Sequence, residues 1–408
     1  MSRAGALTKQ SQVHVKENNL RLVLATIIEQ EPLSRADIVR HTHISKPAIS
    51  SLIDDLLRRG LISEIGEGKS SGGRKPILLR FNANLRHYLA FEMGRTGFRT
   101  ALADLKGRFV GHREGEFQQA RSITTRLDRL KNNIFQLLKQ AGTAERQILK
   151  IICITSGMYV EKGKALKWTP NYQKAPVVEL SEFFAKVFKR EVTINHSTKL
   201  SLLGERIAGK ASGYDNVVYV DFAYGLGCAI MIDGKIYSGN QSSAGEIGYF
   251  YSSLDEFADS SVKPYEPGCL ERKISGKAVQ EKAAELLQRG AGAGIAELVN
   301  GDTGALSGKT VFDAFRRGDD EAARLLKDSF AYFNLSLCNI INLLAPDLVI
   351  LGGGFSRAGS ALIDLVEREI RDRVLVMPRL EVSELKNEAS LIGGVQYLID
   401  HTDLLAEL

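Results

Sequence analysis

Lys46, Ser50 and Ser51 recur on one side of a short segment whose other side is apolar, with Ser45 just before it. Further along, Arg74 and Lys75 follow a pair of glycines, Gly72 and Gly73. Small hydroxyls and an ammonium at the N-terminal end of a helix can enter a major groove and reach base edges. A cationic tip on a slim glycine backbone suits a narrow minor groove. The chemistry these residues offer is binding to double-stranded DNA. Lys46 fits a phosphate or a guanine equally well, and Asp54 and Asp55 are expected to point away from phosphate. Taken alone, the Gly-Gly-Arg-Lys-Pro stretch also reads as a solvated hairpin.

The elements that must position these groups follow from periodicity. Leu20, Val23, Leu24, Ile27 and Ile28 space a first helix over 19–30, and Pro32 ends it. Ser34, with Asp37 three residues later, caps a second helix. Thr42, His43 and Ile44 make the turn. Ser45 caps a third helix with Pro47 in its first turn, striped by Ile49, Leu52, Ile53, Leu56 and Leu57 and stopped at Gly60. Strands over 61–66 and 77–81 flank the basic loop. The pattern is a helix-turn-helix followed by a wing.

Charge agrees with that placement. Residues 1–90 hold 14 Lys and Arg against 8 Asp and Glu, so they carry the whole net charge of +6. A local basic excess is the footprint of a polyanion-binding module. At 408 residues the chain suits two or three domains. No apolar run is long enough to span a bilayer, and the first residues lack a signal-peptide core, so no membrane role and a cytoplasmic location are expected. The four cysteines, Cys153, Cys228, Cys269 and Cys338, are far apart and form no Cys-x-x-Cys pair. Reduced thiols are expected rather than a disulfide framework.

Beyond residue 86 the pattern becomes α/β. Runs at 88–93, 99–104 and 108–113 read as strands, the last two joined by a turn at Leu105, Lys106 and Gly107. A helix is expected over 122–141, a buried strand over 148–155, strands over 217–222 and 227–232, a long helix over 321–344, and a strand at 348–351.

Several motifs in this part fall in a familiar order. They are Ala-Gly-Glu-Ile-Gly ending at Gly248, Gly-Cys-Leu-Glu ending at Glu271, the three glycines 352–354, and Ser-Leu-Ile-Gly-Gly ending at Gly394. With the helix-turn-helix and wing, the chain resembles the ROK family of repressors and sugar kinases over nearly its whole length. The resemblance implies a winged helix-turn-helix over 1–85 and a two-lobed, actin-like (ribonuclease H-like) sugar-kinase fold. The first lobe is expected over 86–194, completed by 385–408, and the second over 195–384.

The chain departs from the kinase pattern in two places. Family kinases open with Asp-x-Gly-Gly-Thr, whereas here Glu92 to Thr96 places Arg95 at the second glycine. That side chain would exclude the γ-phosphate, although a guanidinium could also attract one. Family kinases use an Asn-Asp pair whose Asp is the general base, and here the pair is Asn195-His196. A His could act as a base, but its ring is longer and shaped differently from a carboxylate. The resemblance therefore implies a domain without kinase activity, and ATP binding is not expected. Family zinc sites use a His after Glu-Ile-Gly and three cysteines. Here the positions hold Tyr249 and only Cys269, so no metal is expected. The loop between them would be held by other contacts, such as packing among Tyr249, Phe257 and Tyr265.

By the same resemblance, Glu246 and Glu271 would bind sugar hydroxyls and Asn195 would add its amide. Gly157 and Asn171 would lie on cleft loops, and His196 and Tyr249 would stand at altered positions. Without the resemblance, Glu271 reads as a helix-start residue and Glu246 as a turn carboxylate. The expected partners are an operator, a small carbohydrate effector, and a second copy in a homodimer or homotetramer. A regulatory protein partner and an active kinase carrying a regulatory head are the alternatives.

Overall fold

Ser34 and Asp37 start the second helix as the sequence spells out. Ser34 Oγ accepts the Asp37 N–H at 3.2 Å, and Asp37 accepts the Ser34 N–H at 2.9 Å, a reciprocal capping box. The chain thus passes from α1 (Arg3–Gln30) to α2 (Arg35–Thr42). His43, left-handed at φ 57°, ends α2, and α3 (Lys46–Arg58) follows with Pro47 in its first turn. Ser45 sits at the N-cap position but makes no side-chain cap bond. Ile49, Leu52, Ile53 and Leu56 are buried. The wing contains one strand that periodicity did not suggest. The two-residue β1 (Leu33–Ser34) pairs with β3 (Ile77–Phe81), which pairs in turn with β2 (Ile62–Glu67), all antiparallel. The computed structural model describes residues 3–68, 75–94, 97–117, 122–155, 158–160, 165–168, 180–259, 266–300, 302–386 and 388–408.

The first lobe opens with a hairpin ladder of β4 (His87–Met93), β5 (Gly97–Asp104) and β6 (Phe109–Glu116). Asp104 Oδ1 accepts the Lys106 and Arg108 N–H groups at 2.9 and 3.0 Å, which fixes the expected turn. Next come α4 (Ile123–Gln140), capped by Ser122, and β7 (Ile148–Thr155). The short strands β8 (Met158–Val160) and β9 (Ala165–Trp168) pair with each other. Then α5 (Leu180–Phe188) leads to β10 (Val192–His196). The sheet order is β10-β7-β4-β5-β6, with β10, β7 and β4 parallel.

The long α6 (Ser197–Ala208) crosses to the second lobe. There β11 (Val217–Phe222), β12 (Leu226–Ile232) and β13 (Lys235–Ile236) form a meander. A helical layer follows: α7 (Leu254–Ala258), α8 (Glu271–Ile274), α9 (Gly276–Gln288), α10 (Ala293–Leu298), α11 (Gly308–Arg316) and α12 (Asp320–Leu344). The sheet is completed by β14 (Leu348–Gly353) and, after α13 (Ser360–Ile370), by β15 (Arg379–Val382). Its order is β13-β12-β11-β14-β15, with β11, β14 and β15 parallel.

The chain then returns to the first lobe as α14 (Ala389–Asp400) and ends in α15 (Leu404–Glu407). Helices α6 and α14 touch backbone to backbone. A Cβ on Gly204 would fall 2.0 Å from the Ala389 carbonyl oxygen, and one on Gly393 would fall 1.8 Å from that of Leu200. Only glycine permits that approach.

One apolar cluster joins the head to the body. Leu20, Ile27, Leu56 and Leu79 of the head pack in the same cluster as Ala90, Ile152, Leu391 and Leu398. Polar ties reinforce this seam at its rim. Arg21 pairs with Asp403 at 2.7 Å, Lys106 pairs with Glu31 at 2.7 Å, and Arg59 Nη1 donates to the Leu405 carbonyl at 3.0 Å. Among the described residues no helix is long and apolar enough to cross a membrane.

Candidate effector cleft and DNA-facing surface

Parallel strands deliver their C-terminal ends to one place. Glu92 on β4, His196 at the end of β10, Asp221 on β11 and Gly353 at the end of β14 all line a cleft of about 530 Å³. The first turn of α6 adds Ser197, Thr198 and Lys199.

Glu246, Tyr249 and Glu271 line the same cleft. Glu271 starts α8 and is packed so closely that a Cβ on Gly225 would fall 2.6 Å from its Oε1. Burial, and then the negative charge of Glu246, push the Glu271 carboxyl up to about 7. Burial also raises Glu246, against the pull of the Lys199 ammonium. Burial likewise lowers Lys199, although Glu246 opposes it. Desolvation thus outweighs the attraction between the two charges in both groups. Lys199 Nζ also donates to the Ser242 carbonyl at 2.6 Å. Two crowded carboxylates of this kind gain by accepting hydrogen bonds from hydroxyls, which lower the cost of their charge.

A second polar cluster lies on the β4 side. Glu92 Oε2 accepts Arg99 Nη2 at 2.5 Å and Ser390 Oγ at 2.6 Å, tying the hairpin of the first lobe to α14. Asp221 is pushed up to about 6 by burial and by Glu92, with Arg99 opposing. Sequence reading passed over Arg99, Lys199 and Asp221. An acid interrupting the apolar β11 run, and a Lys following Asn195-His196, were the signals available.

His196 caps α6, its Nδ1 accepting the Thr198 N–H at 3.3 Å. Burial, with Lys199 adding to it, lowers the imidazole to about 4, so the ring is neutral at physiological pH. Asn195 is not among the residues lining the cleft. Its Oδ1 turns back to accept the N–H of His196 at 2.7 Å. Gly157, Asn171 and Arg95 lie outside the described residues.

At two positions of the family's zinc pattern the chain has Tyr249 and Cys269. Among the described residues no three His, Cys, Asp or Glu side chains gather as a metal site, and Cys269 is a buried free thiol. In the loop, Phe257 packs edge-on to Tyr251 at 5.5 Å, and Lys273 pairs with Glu256. Tyr265 lies outside the described residues.

On the head, Ser45, Lys46, Ser50 and Ser51 are all exposed, on the face of α3 opposite its buried stripe. Asp54 is engaged by Arg35 at 3.0 Å, and Asp55 by Arg58 at 3.2 Å. Lys75 is exposed at the wing and lies 3.3 Å from Glu67. Arg74 lies outside the described residues.

Comparison with known proteins places both parts. Residues 21–69 match the MarR family and residues 88–400 the ROK family. The xylose repressor of Caldicellulosiruptor bescii is 25% identical over 396 residues, covering 96% of this chain and 97% of that protein. The DNA-binding transcriptional dual regulator NagC of Escherichia coli is 24% identical over 378 residues, covering 92% and 89%. Among solved structures, a ROK family transcriptional regulator homologous to the E. coli MLC protein superposes with a TM-score of 0.74 at 23% identity, covering 97% and 99%. The ROK family glucokinase of Streptomyces griseus, solved with glucose and AMPPNP, gives 0.64 at 19% identity, covering 76% of this chain and 98% of that one. A MarR-like winged helix-turn-helix precedes a two-lobed kinase-like body, and the chain belongs to the ROK family.

Proposed function

We infer that the chain is a DNA-binding transcriptional regulator, a repressor of carbohydrate-uptake or catabolism genes. In this reading the head spans 1–85, one lobe spans 86–194 with 385–408, and the other spans 195–384. The observation that carries it is one body holding both an exposed Lys46, Ser50 and Ser51 face on α3 and a cleft lined by Glu246 and Glu271. The first suits base edges and phosphates, and the second suits vicinal hydroxyls. Relatives named as xylose repressor and as a DNA-binding regulator support the pairing.

The body binds its sugar without phosphorylating it. A general base needs a free acceptor at the hydroxyl it deprotonates. His196 spends Nδ1 on the helix cap, so its other nitrogen carries hydrogen and cannot take a proton. Effector binding would favour one lobe arrangement, and in a dimer this changes the separation of the two α3 helices against half-sites.

Gel-shift against the fragment upstream of the chain's own coding sequence, with and without a sugar panel, tests the reading. A specific shift that a sugar alters is the expected result. No preference for any genomic fragment at moderate salt refutes it. ATP-dependent phosphorylation of a hexose, pentose or amino sugar would establish the kinase alternative.

A further inference from the structure

The outer face of α12 changes character partway along. Its first turns carry Arg324, Lys327 and Asp328 to solvent, as a surface helix should. From Ser329 to Leu344 no charged residue follows. The exposed positions there are Ala331, Tyr332, Leu335, Asn339, Asn342 and Leu343, which recur at spacings of three and four. Leu335 is 50% exposed and Leu343 82%. A helix face that excludes charge and leaves leucine in water has the composition of an interface core.

A knob and a groove accompany this stripe. In the segment after α13, Val374 and Met377 pack against the core of the second lobe, while Leu375 and Val376 between them are 91% and 70% exposed. Asn342 of α12 brackets that segment. Its Oδ1 accepts the Leu375 N–H at 3.0 Å, and its Nδ2 donates to the Arg373 carbonyl at 3.5 Å. The apolar knob is thus fixed to α12 one residue before Leu343. A groove of about 840 Å³ runs between α12 and α13, walled by Ala331, Leu335, Cys338, Ala361 and Leu365. Asn342 and Arg373 line it as well, so the groove adjoins the knob.

We propose that this face is the contact between two copies of the chain related by a twofold axis, with Leu375 and Val376 of each copy seated in the groove of the other. Three observations select a second copy as the occupant. Knob and groove lie on one surface, so a single twofold rotation satisfies both. The charges around the groove, Lys327, Arg368 and Arg373 against Asp364 and Glu369, nearly balance, so two copies meet without strong repulsion. The exposed parts of Tyr332, Leu335, Leu343, Leu375 and Val376 together amount to roughly 600 Å², the top of the range for the largest apolar patch of a monomer. With the groove walls they approach the roughly 800 Å² per partner of a stable interface. None of these residues lines the effector cleft. The proposal deepens the DNA-binding reading, because two heads at a fixed separation are what paired half-sites require. Its first measurement needs neither DNA nor sugar.

Sedimentation velocity of the full-length chain over about 0.5 to 50 μM reads the contact directly. Wild type is expected at twice the chain mass or more. The double variant L375E/V376E changes two side chains that already face water in the single chain, so its far-UV circular dichroism should match wild type. It places a pair of carboxylates from each copy in the contact, and dissociation there is expected to be at least about 100-fold easier. L335E, in the groove wall, is expected to act in the same direction. V110E, at an exposed apolar position of β6 in the first lobe, is expected to leave the assembly intact.

A wild type that is monomeric at the highest concentration overturns the proposal. So does an assembly that L375E/V376E and L335E leave unchanged, or one that V110E disrupts as strongly. If the variants dissociate as expected but wild type prefers no genomic fragment in gel-shift, the DNA-binding reading falls and the interface stands.

Discussion

Consider Glu271→Gln, which removes one charge from the crowded pair in the cleft and keeps the shape of the side chain. In the folded protein the Glu271 carboxyl lies at about 7 rather than 4.5, through burial and then the charge of Glu246. A group raised on folding contributes stability that is fully present below about 4.5. That contribution is lost as pH rises through about 7. The full difference amounts to roughly 3 kcal/mol. Glu271 is half-buried and lines the open cleft, so about half of that, on the order of 1.5 kcal/mol, is expected to be expressed. Gln has no charge to lose, so at pH 8 the variant should be more stable by about that amount, or about 2 °C in melting temperature for a chain of 408 residues. At pH 4.5 the gap should close. Thermal unfolding of wild type and E271Q across pH 4.5 to 8 measures it. A gap that is independent of pH, or an E271Q protein less stable than wild type at pH 8, refutes the reasoning. The same charge is what a hydroxyl ligand would relieve, so effector affinity of the wild type should climb as pH rises through about 7, whereas that of E271Q should be weak and flat.

Two further outcomes follow from the head and the seam. Changing Arg74 and Lys75 together to Ala should weaken operator binding and reduce the slope of log K against log salt by up to about 2, read from gel-shift at several salt concentrations; an unchanged slope removes the wing from the contact. Gly393→Ala places a methyl group against the Leu200 carbonyl and should cost at least about 2 kcal/mol in denaturant unfolding. Wild-type stability would show that α6 and α14 can part.

Local structure was legible wherever one residue decides it. Ser34 with Asp37 announced the capping box, Pro47 the start of α3, and β-branched runs the strands β7 and β11, which begin and end where periodicity put them. What escaped reading depends on residues distant in sequence. The strand Leu33–Ser34 is two residues long and exists only because β3 lies beside it. Gly204 shows its purpose only against Ala389, and Asp221 only against Glu92. In the cleft, Glu246, Glu271, Tyr249 and His196 come together as the motif order implied. The amide oxygen of Asn195 instead accepts the N–H of its own neighbour, a local bond that no spacing pattern encodes.

The apolar cluster shared by Leu20, Leu56, Leu391 and Leu398, with Leu404 and Leu405 against its edge, makes the head a bolted fixture. Such a reader of DNA cannot be exchanged like a cassette. A chimera that swaps 1–85 alone would graft a foreign surface onto the wild-type tail and leave greasy side chains facing water. Transplanting the specificity of this head to another body requires carrying the last residues of the chain along with the first.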